Sequence, residues 1–342
     1  VLESSKNKMT ANSSVLLFVL PESFQVILIN VILIFGMFFS CVWVGKGKKD
    51  LKNSWDSDWE NRDLVRVSMP TLQTEPIAQL MTLGLASGSV LYLNSGLSYS
   101  LYFGLIWDDL CRFMSVLLCL SGIGALGISI NALKRFSRYE YIMLLWLSVV
   151  GMLCLIKSYS LLSFYLSIEL QSLSFYMLAA MRSRSEASAE AALKYFILSA
   201  FSSAMLLLGM ALIYRGIGSQ SLADLGIAMD HFGIVPEHEQ IGVYVGLGCI
   251  SISLLFKLGA APFHAWIADV YEGSHTSITA WFAITAKIAI ATVLIRINSS
   301  YTLVSLLTGV SVISLLVGSL SGLRQVKIKR LIAFSAVTNA GW

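Results

Sequence analysis

Charged residues are scarce in this sequence. They make up 13% of its 342 residues, whereas a soluble domain carries about 25%. Proline and cysteine number only five each, so the composition indicates neither a disordered or collagen-like chain nor a disulfide scaffold. Hydrophobic residues, in contrast, make up 56% of the chain. These proportions exclude a water-soluble fold and predict an all-α integral membrane protein with about ten spans of about 20 residues each.

Motifs for metal or cofactor chemistry are missing as well. The cysteines lie in apolar stretches without Cys-x-x-Cys or Cys–His spacing, which is typical of packing residues. The sequence has no phosphate-binding loop, nucleophile elbow or haem-binding histidine pair. It therefore predicts no metal, bound cofactor or bond-breaking site in this chain. The net charge of +4 does not predict nucleic-acid binding, because basic residues in membrane proteins set helix orientation.

Charged and turn residues divide the chain into candidate membrane spans. These are predicted near 15–45, 77–106, 109–133, 139–157, 160–181, 187–214, 240–267, 276–296 and 299–323, and a tenth begins at about 328. Residues 46–75 have no helical stripe and predict an exposed loop. Loops after odd-numbered spans carry fifteen Lys and Arg residues, against six on the other side. By the positive-inside rule, Val1 is expected on the outer side and loop 46–75 on the matrix or cytoplasmic side.

Three charges lie deep inside the predicted spans: Glu169, Lys257 and Lys287. Each costs about 2.5 to 3.5 kcal/mol at a helix centre, so the charges must be paired or used. One interpretation is a structural Glu–Lys pair that ties two helices together. The other is a proton relay, because a desolvated lysine can lose its proton near neutral pH.

The surroundings of these charges favour the relay. Hydrogen-bonding residues follow Glu169 along one helical face. Pro262 lies five residues after Lys257 and predicts a kinked or broken helix, which membrane proteins tolerate where it lines a cavity. His264 titrates near neutrality, so both a relay role and an interface role are open for it. For Lys194, four residues after Glu190, both a surface ion pair and a relay role are open.

Six sequence segments together resemble a known family. They are Leu166–Tyr176 (LSIELQSLSFY), Ala192–Ser203 (ALKYFILSAFSS), Phe256–Trp266 (FKLGAAPFHAW), Asp269–Gly273 (DVYEG), Ala286–Ile288 (AKI) and Val326–Leu331 (VKIKRL). The chain resembles subunit 2 of proton-pumping NADH:ubiquinone oxidoreductase, respiratory complex I, whose bacterial counterpart is subunit N. The resemblance covers roughly residues 107–342.

The resemblance implies an antiporter-like fold built from inverted five-helix repeats. N-terminal helices would occupy 1–133, the first repeat 134–296, and an incomplete second repeat 297–342. The proton path would contain Glu169, Lys194, Lys257 and Lys287, with His264 as a further candidate. NADH, FMN, iron–sulfur clusters and ubiquinone are expected in other subunits.

The resemblance also leads to expectations about partners and location. The partners would be other membrane-arm subunits of complex I, membrane lipids, and a separate polypeptide that supplies the family's remaining helices. The location would be the mitochondrial inner membrane, or alternatively the bacterial plasma membrane. Two other functions remain open: a stand-alone or Mrp-type cation/proton antiporter, and a structural fragment that no longer pumps.

Overall fold

The computed structural model describes residues 23–31, 74–94, 104–136, 139–182, 185–230, 237–300 and 304–342. Residues 23–31 lie in a helix, α1. The helices that follow are α2 (Thr74–Asn94), α3 (Asp109–Phe136), α4 (Tyr139–Lys157), α5 (Leu161–Ala179), α6 (Glu186–Ile217), α7 (Leu222–Asp230), α8 (Glu237–Leu258), α9 (Ala265–Gly273), α10 (Thr276–Ser300), α11 (Val304–Leu323) and α12 (Ile328–Gly341). Val1 and nearly all of the predicted loop 46–75 lie outside the described residues.

The all-α membrane fold is confirmed. Seven described helices, α3–α6, α8, α10 and α11, are long and apolar enough to cross a membrane, and α2 contains a shorter apolar stretch, Ile77–Leu93. Helices suit this environment because they satisfy their own backbone hydrogen bonds where water is absent. The chain is a multi-pass membrane protein.

Several predicted boundaries were wrong. The second span was expected to reach residue 106, but α2 ends at Asn94. The seventh was expected to run from 240 to 267, but α8 ends at Leu258 and a separate helix, α9, begins at Ala265. Short α7 was not among the predicted spans, since its nine residues are too few to cross a membrane.

Helix α4 occupies the centre of the bundle, and the polar atoms of buried tryptophans beside it are satisfied. Trp146 donates through Nε1 to Gln25 Oε1, and Gln25 donates in turn to the carbonyl oxygen of Gly84. Trp281 of α10 donates to Ser148 Oγ at 3.1 Å. Such bonds avoid the cost of burying an unpaired indole N–H. By contrast, α11 lies at the periphery and is mostly exposed.

Helices α6 and α8 approach closely at two glycines. A Cβ on Gly209 would lie 2.6 Å from the carbonyl oxygen of Gly246, and one on Gly246 would lie 2.7 Å from that of Gly209. Small residues permit such contact between membrane helices. Nearby, the Ser202 and Ser253 hydroxyls lie 2.9 Å apart across the same interface. These contacts fix α6 against the helix that carries Lys257.

A buried arginine joins three helix ends. Arg296, near the end of α10, contacts both carboxylate oxygens of Asp108 at 3.1 Å and the Cys111 sulfur at 3.0 Å. Its other terminal nitrogen donates to the carbonyl oxygens of Ile156 and Ser158, each at 3.0 Å. Asp108 also accepts from the backbone N–H of Cys111 in the first turn of α3. The guanidinium therefore holds the start of α3, the end of α4 and the end of α10 together.

Candidate functional site

Glu169 lies on α5 and faces α6. Helix α5 begins at a Ser160 N-cap that exchanges hydrogen bonds with Ser163. Further along, Glu169 Oε1 accepts a hydrogen bond from Ser203 Oγ of α6 at 2.5 Å, and Oε2 lies 3.4 Å from Ser172 Oγ. Two serine hydroxyls therefore contact the carboxylate, in agreement with the predicted polar face of α5.

Lys257 is in the last turn of α8, next to the helix break. The break predicted at Pro262 is confirmed, but it begins at Gly259, whose φ is +83°. A Cβ on Gly259 would lie 1.9 Å from Ile267 Cδ1, so only glycine fits there. Trp266 of α9 donates through Nε1 to the carbonyl oxygen of Phe256, which also accepts from the backbone N–H of Gly259. The break therefore places the Lys257 side chain at the end of a helix inside the bundle.

The ammonium of Lys257 does not form a direct salt bridge with Glu169. Its Nζ donates to Ser199 Oγ of α6 at 2.8 Å. Ser199 lies one helical turn before Ser203, which binds Glu169. The two charges that were predicted to act as a pair are therefore connected through one face of α6.

A small pocket with a mostly apolar lining brings Lys257 together with Lys287 of α10. Its lining includes both lysines together with Gln171, Tyr195, Tyr271 and Ser172. The pocket has the volume to hold at least one water molecule. Gln171 is 5% exposed, and its Oε1 is buried without a hydrogen-bond partner in the protein. The pocket therefore brings two lysines and an amide side chain with an unpartnered oxygen to one internal cavity.

Lys287 is also bonded to α12. Lys287 Nζ donates to the carbonyl oxygen of Ala336 at 2.8 Å. Neither this acceptor nor the two α6 serines was predicted as a site residue. A backbone carbonyl leaves no sequence signal, whereas the i, i+4 spacing of Ser199 and Ser203 could have indicated a polar face on α6.

Lys194 lies at the membrane edge, outside this pocket. It pairs with Glu190 at 2.7 Å, as the i, i+4 spacing indicated, and with Asp269 of α9 at 2.9 Å. Its side chain is 45% exposed. The structure therefore brings Lys194 to the surface of α9, and its predicted place on a proton path stays a prediction.

The acidic residues of α9 also pair with α12. Asp269 and Glu272 both contact Arg330, and Glu272 contacts Lys327 as well. Both acids follow the seventh predicted span, and in the structure they lie within α9. Hydrogen bonds from Lys327 and Arg330 lower the pKa of Glu272 below its ordinary value. These ion pairs tie α9 to its neighbours at the side where the positive-inside rule places the matrix or cytoplasm.

His264 lies between the break and α9, and it does not line the pocket. Its ring centroid is 6.2 Å from that of Phe334 in α12. Nδ1 is buried and accepts or donates no hydrogen bond within the protein. The geometry thus places His264 against α12, and its relay role stays a prediction. Across the described ranges, no group of three or more His, Cys, Asp or Glu residues is arranged to hold a metal ion.

Comparison with known proteins matches this arrangement to a family. The family model described as NADH:quinone oxidoreductase/Mrp antiporter, TM, matches residues 158–342. NADH-ubiquinone oxidoreductase chain 2 of Oenothera berteroana is 38% identical over 264 residues, which cover 75% of this chain and 54% of the relative. NADH-quinone oxidoreductase subunit N of Maricaulis maris is 36% identical over 280 residues, which cover 79% of this chain and 57% of the relative. The chain thus spans about half the length of these curated relatives.

Solved structures share the fold. A chain of respiratory complex I from Thermus thermophilus, solved with bound aureothin, superposes with a TM-score of 0.73 at 25% identity, covering 94% of this chain and 62% of that one. A chain of the Mrp complex from Dietzia sp. DQ12-45-1b gives a TM-score of 0.68 at 21% identity, covering 79% and 53%. The second likeness concerns the fold alone. With the family model matching more than half of its residues, the chain belongs to the family of NADH:quinone oxidoreductase and Mrp antiporter membrane subunits.

Proposed function

We propose that this chain is a proton-translocating membrane-arm subunit of complex I, coupling electron transfer from NADH to ubiquinone with proton pumping. The observation that carries the proposal is the pair of lysines, Lys257 and Lys287, that line one internal pocket beside a broken helix. Buried charges at membrane depth are costly and mark proton or ion pathways. The similarity to chain 2 and subunit N proteins of NADH oxidoreductases supports the same function.

In this mechanism the chain moves protons and performs no redox chemistry. Lys257 holds a proton on the ammonium that donates to Ser199, and releases it into the pocket toward Lys287. Glu169 provides the counter-charge across α6. Movement of Glu169 relative to Lys257 would change how tightly that lysine holds its proton. The redox groups, namely NADH, FMN, iron–sulfur clusters and ubiquinone, would be bound by other subunits.

The partners in this proposal are other subunits of the complex I membrane arm and membrane lipids. A separate polypeptide carrying the family's remaining helices stays a prediction. We place the protein in the mitochondrial inner membrane, with the bacterial plasma membrane as the alternative. Relatives named as ubiquinone oxidoreductases, at 38–40% identity, support the first location, while subunit N relatives of bacteria at 36% keep the second open.

The test compares two glutamate substitutions in the intact complex. Glu169→Gln should strongly reduce the number of protons pumped per NADH oxidised in sealed membrane vesicles, because the site loses its counter-charge. Glu186→Gln should not, since that side chain is exposed in the first turn of α6. Equal pumping by Glu169→Gln, Lys257→Ala and wild type would refute the proposal and support a structural role.

The same vesicles distinguish the antiporter alternative. A cation/proton antiporter would exchange protons for Na⁺ or K⁺ in membranes that lack the NADH-oxidising subunits. Our proposal expects proton movement only when NADH is oxidised, without dependence on either cation.

A further inference from the structure

Two serines of α6 separate the charges at the centre of the site. Ser203 Oγ is bonded to Glu169 Oε1 at 2.5 Å and lies 3.1 Å from the carbonyl oxygen of Ser199. Ser199 Oγ accepts from Lys257 Nζ at 2.8 Å. Both serines are buried: Ser199 is 0% exposed and Ser203 is 7% exposed. Each charge thus has its own hydroxyl partner on the same helix.

The helix sets the distance between these partners. Residues four positions apart on a helix lie on the same face, with Cβ atoms about 5 to 6 Å apart. A carboxylate bonded to one hydroxyl and an ammonium bonded to the other are therefore kept from direct contact. The close approach at Gly209 and Gly246, and the contact between Ser202 and Ser253, hold α6 in place.

We propose that Ser199 and Ser203 are positioning residues that prevent a direct Glu169–Lys257 ion pair, and that this separation sets the pH range in which Lys257 releases its proton. The inference rests on the proposed function, and it assigns to α6 a role in controlling proton release. It differs from the pairing expected from the sequence, in which the carboxylate and the ammonium would touch.

The charged and titratable groups around Lys257 come from four elements. They are Glu169 and Tyr176 of α5, Tyr195 of α6, Tyr271 of α9 and Lys287 of α10. The tyrosines are neutral near pH 7, and Lys287 is bonded to a carbonyl oxygen of α12. Glu169 is thus the carboxylate available to the Lys257 ammonium if the Ser199 hydroxyl is removed. A direct pair would stabilise the charged lysine and delay proton release to higher pH.

The experiment measures NADH-driven proton pumping by the intact complex as a function of pH. Ser199→Ala removes the acceptor for Lys257, so the pH of half-maximal pumping should rise by about 1 unit, with activity recovered at higher pH. Ser199→Thr keeps the hydroxyl and should restore the wild-type profile. Ser251→Ala is the matched control, because Ser251 of α8 is also a buried serine but donates to the Leu247 carbonyl oxygen of its own helix.

Ser203→Ala tests the inference from the carboxylate side. This substitution removes the hydrogen bond between Glu169 and α6, so the pH profile should shift in the same direction. It replaces the first variant as the test if native gels show that Ser199→Ala does not assemble. Unshifted profiles for the assembled serine variants, while Lys257→Ala abolishes pumping, would overturn this inference alone. Wild-type pumping by Lys257→Ala would instead refute the proposed function on which this inference rests.

Discussion

Replacement of Arg296 by leucine should destabilise the bundle more than any surface substitution. The change removes the guanidinium from five contacts, two to Asp108, one to Cys111 and two to carbonyl oxygens. Arg296 is 8% exposed and the Asp108 side chain 25% exposed, so water replaces few of these contacts. Loss of one partner from a buried ion pair costs about 3 to 5 kcal/mol, because the other charge stays buried without compensation.

The Asp108 carboxylate accounts for much of that expected cost. Burial by itself raises the pKa of Asp108, but hydrogen bonds from Cys111 and the charge of Arg296 outweigh it, and the pKa lies below its ordinary value. The carboxylate is therefore ionised at neutral pH and stabilises the fold above its ordinary pKa of 3.8. Adding Asp108→Asn to Arg296→Leu removes this uncompensated charge, so the double variant should be less destabilised than the sum of the single variants.

The assay is the temperature at which the intact complex, purified in detergent, loses this subunit. Arg324→Leu serves as the matched control, because Arg324 is exposed at the end of α11. Equal thermal stability of Arg296→Leu and Arg324→Leu would refute the reasoning. So would additive losses in the double variant, because they would show that Arg296 and Asp108 act independently.

Three further outcomes follow from local geometry. Gly246→Ala should lower the free energy of unfolding by about 1 to 3 kcal/mol, because the new Cβ would clash with an α6 carbonyl oxygen. Gly248→Ala, on the same helix, has open space around the new Cβ and should be neutral or stabilising. Gly259→Ala should reduce NADH-driven pumping in sealed vesicles, since alanine at a φ of +83° would strain the break and displace Lys257. The ionised Glu272 contributes its full stabilisation above pH 4.5, and this contribution is lost as the pH falls through the lowered pKa of Glu272. In Glu272→Gln, thermal stability should therefore depend less on pH in the acidic range.

The sequence alone was sufficient to locate the charged groups of the site. Glu169, Lys257 and Lys287 stand out because membrane spans otherwise contain almost no charge, and a proline inside a helix predicts a break. The exact end of α8 could not be predicted. It depends on Gly259 adopting a positive φ beneath Ile267, a contact formed only after α9 packs back on the break.

The partners of those charges were beyond sequence reasoning. A serine in a membrane helix often donates to a carbonyl oxygen of its own helix, as Ser167 does to Ser163, so the residue type does not reveal which serine faces a charge. Helix α6 has apolar residues on every face, which gives no signal for its rotation. The contact of Lys194 with Asp269 joins residues 75 positions apart and depends on the folded position of α9.

Helix α12 links the acidic residues of α9 to a lysine of the pocket. Arg330 binds the acids of α9, and six residues further on the Ala336 carbonyl oxygen accepts from Lys287. Six residues correspond to about 9 Å along a helix axis. A sliding motion of α12 would therefore change the ionic contacts at the surface and the hydrogen bond at the pocket lysine simultaneously. The ion pairs of Arg330 and the hydrogen bond of Lys287 therefore both depend on the position of α12, although these residues do not contact each other.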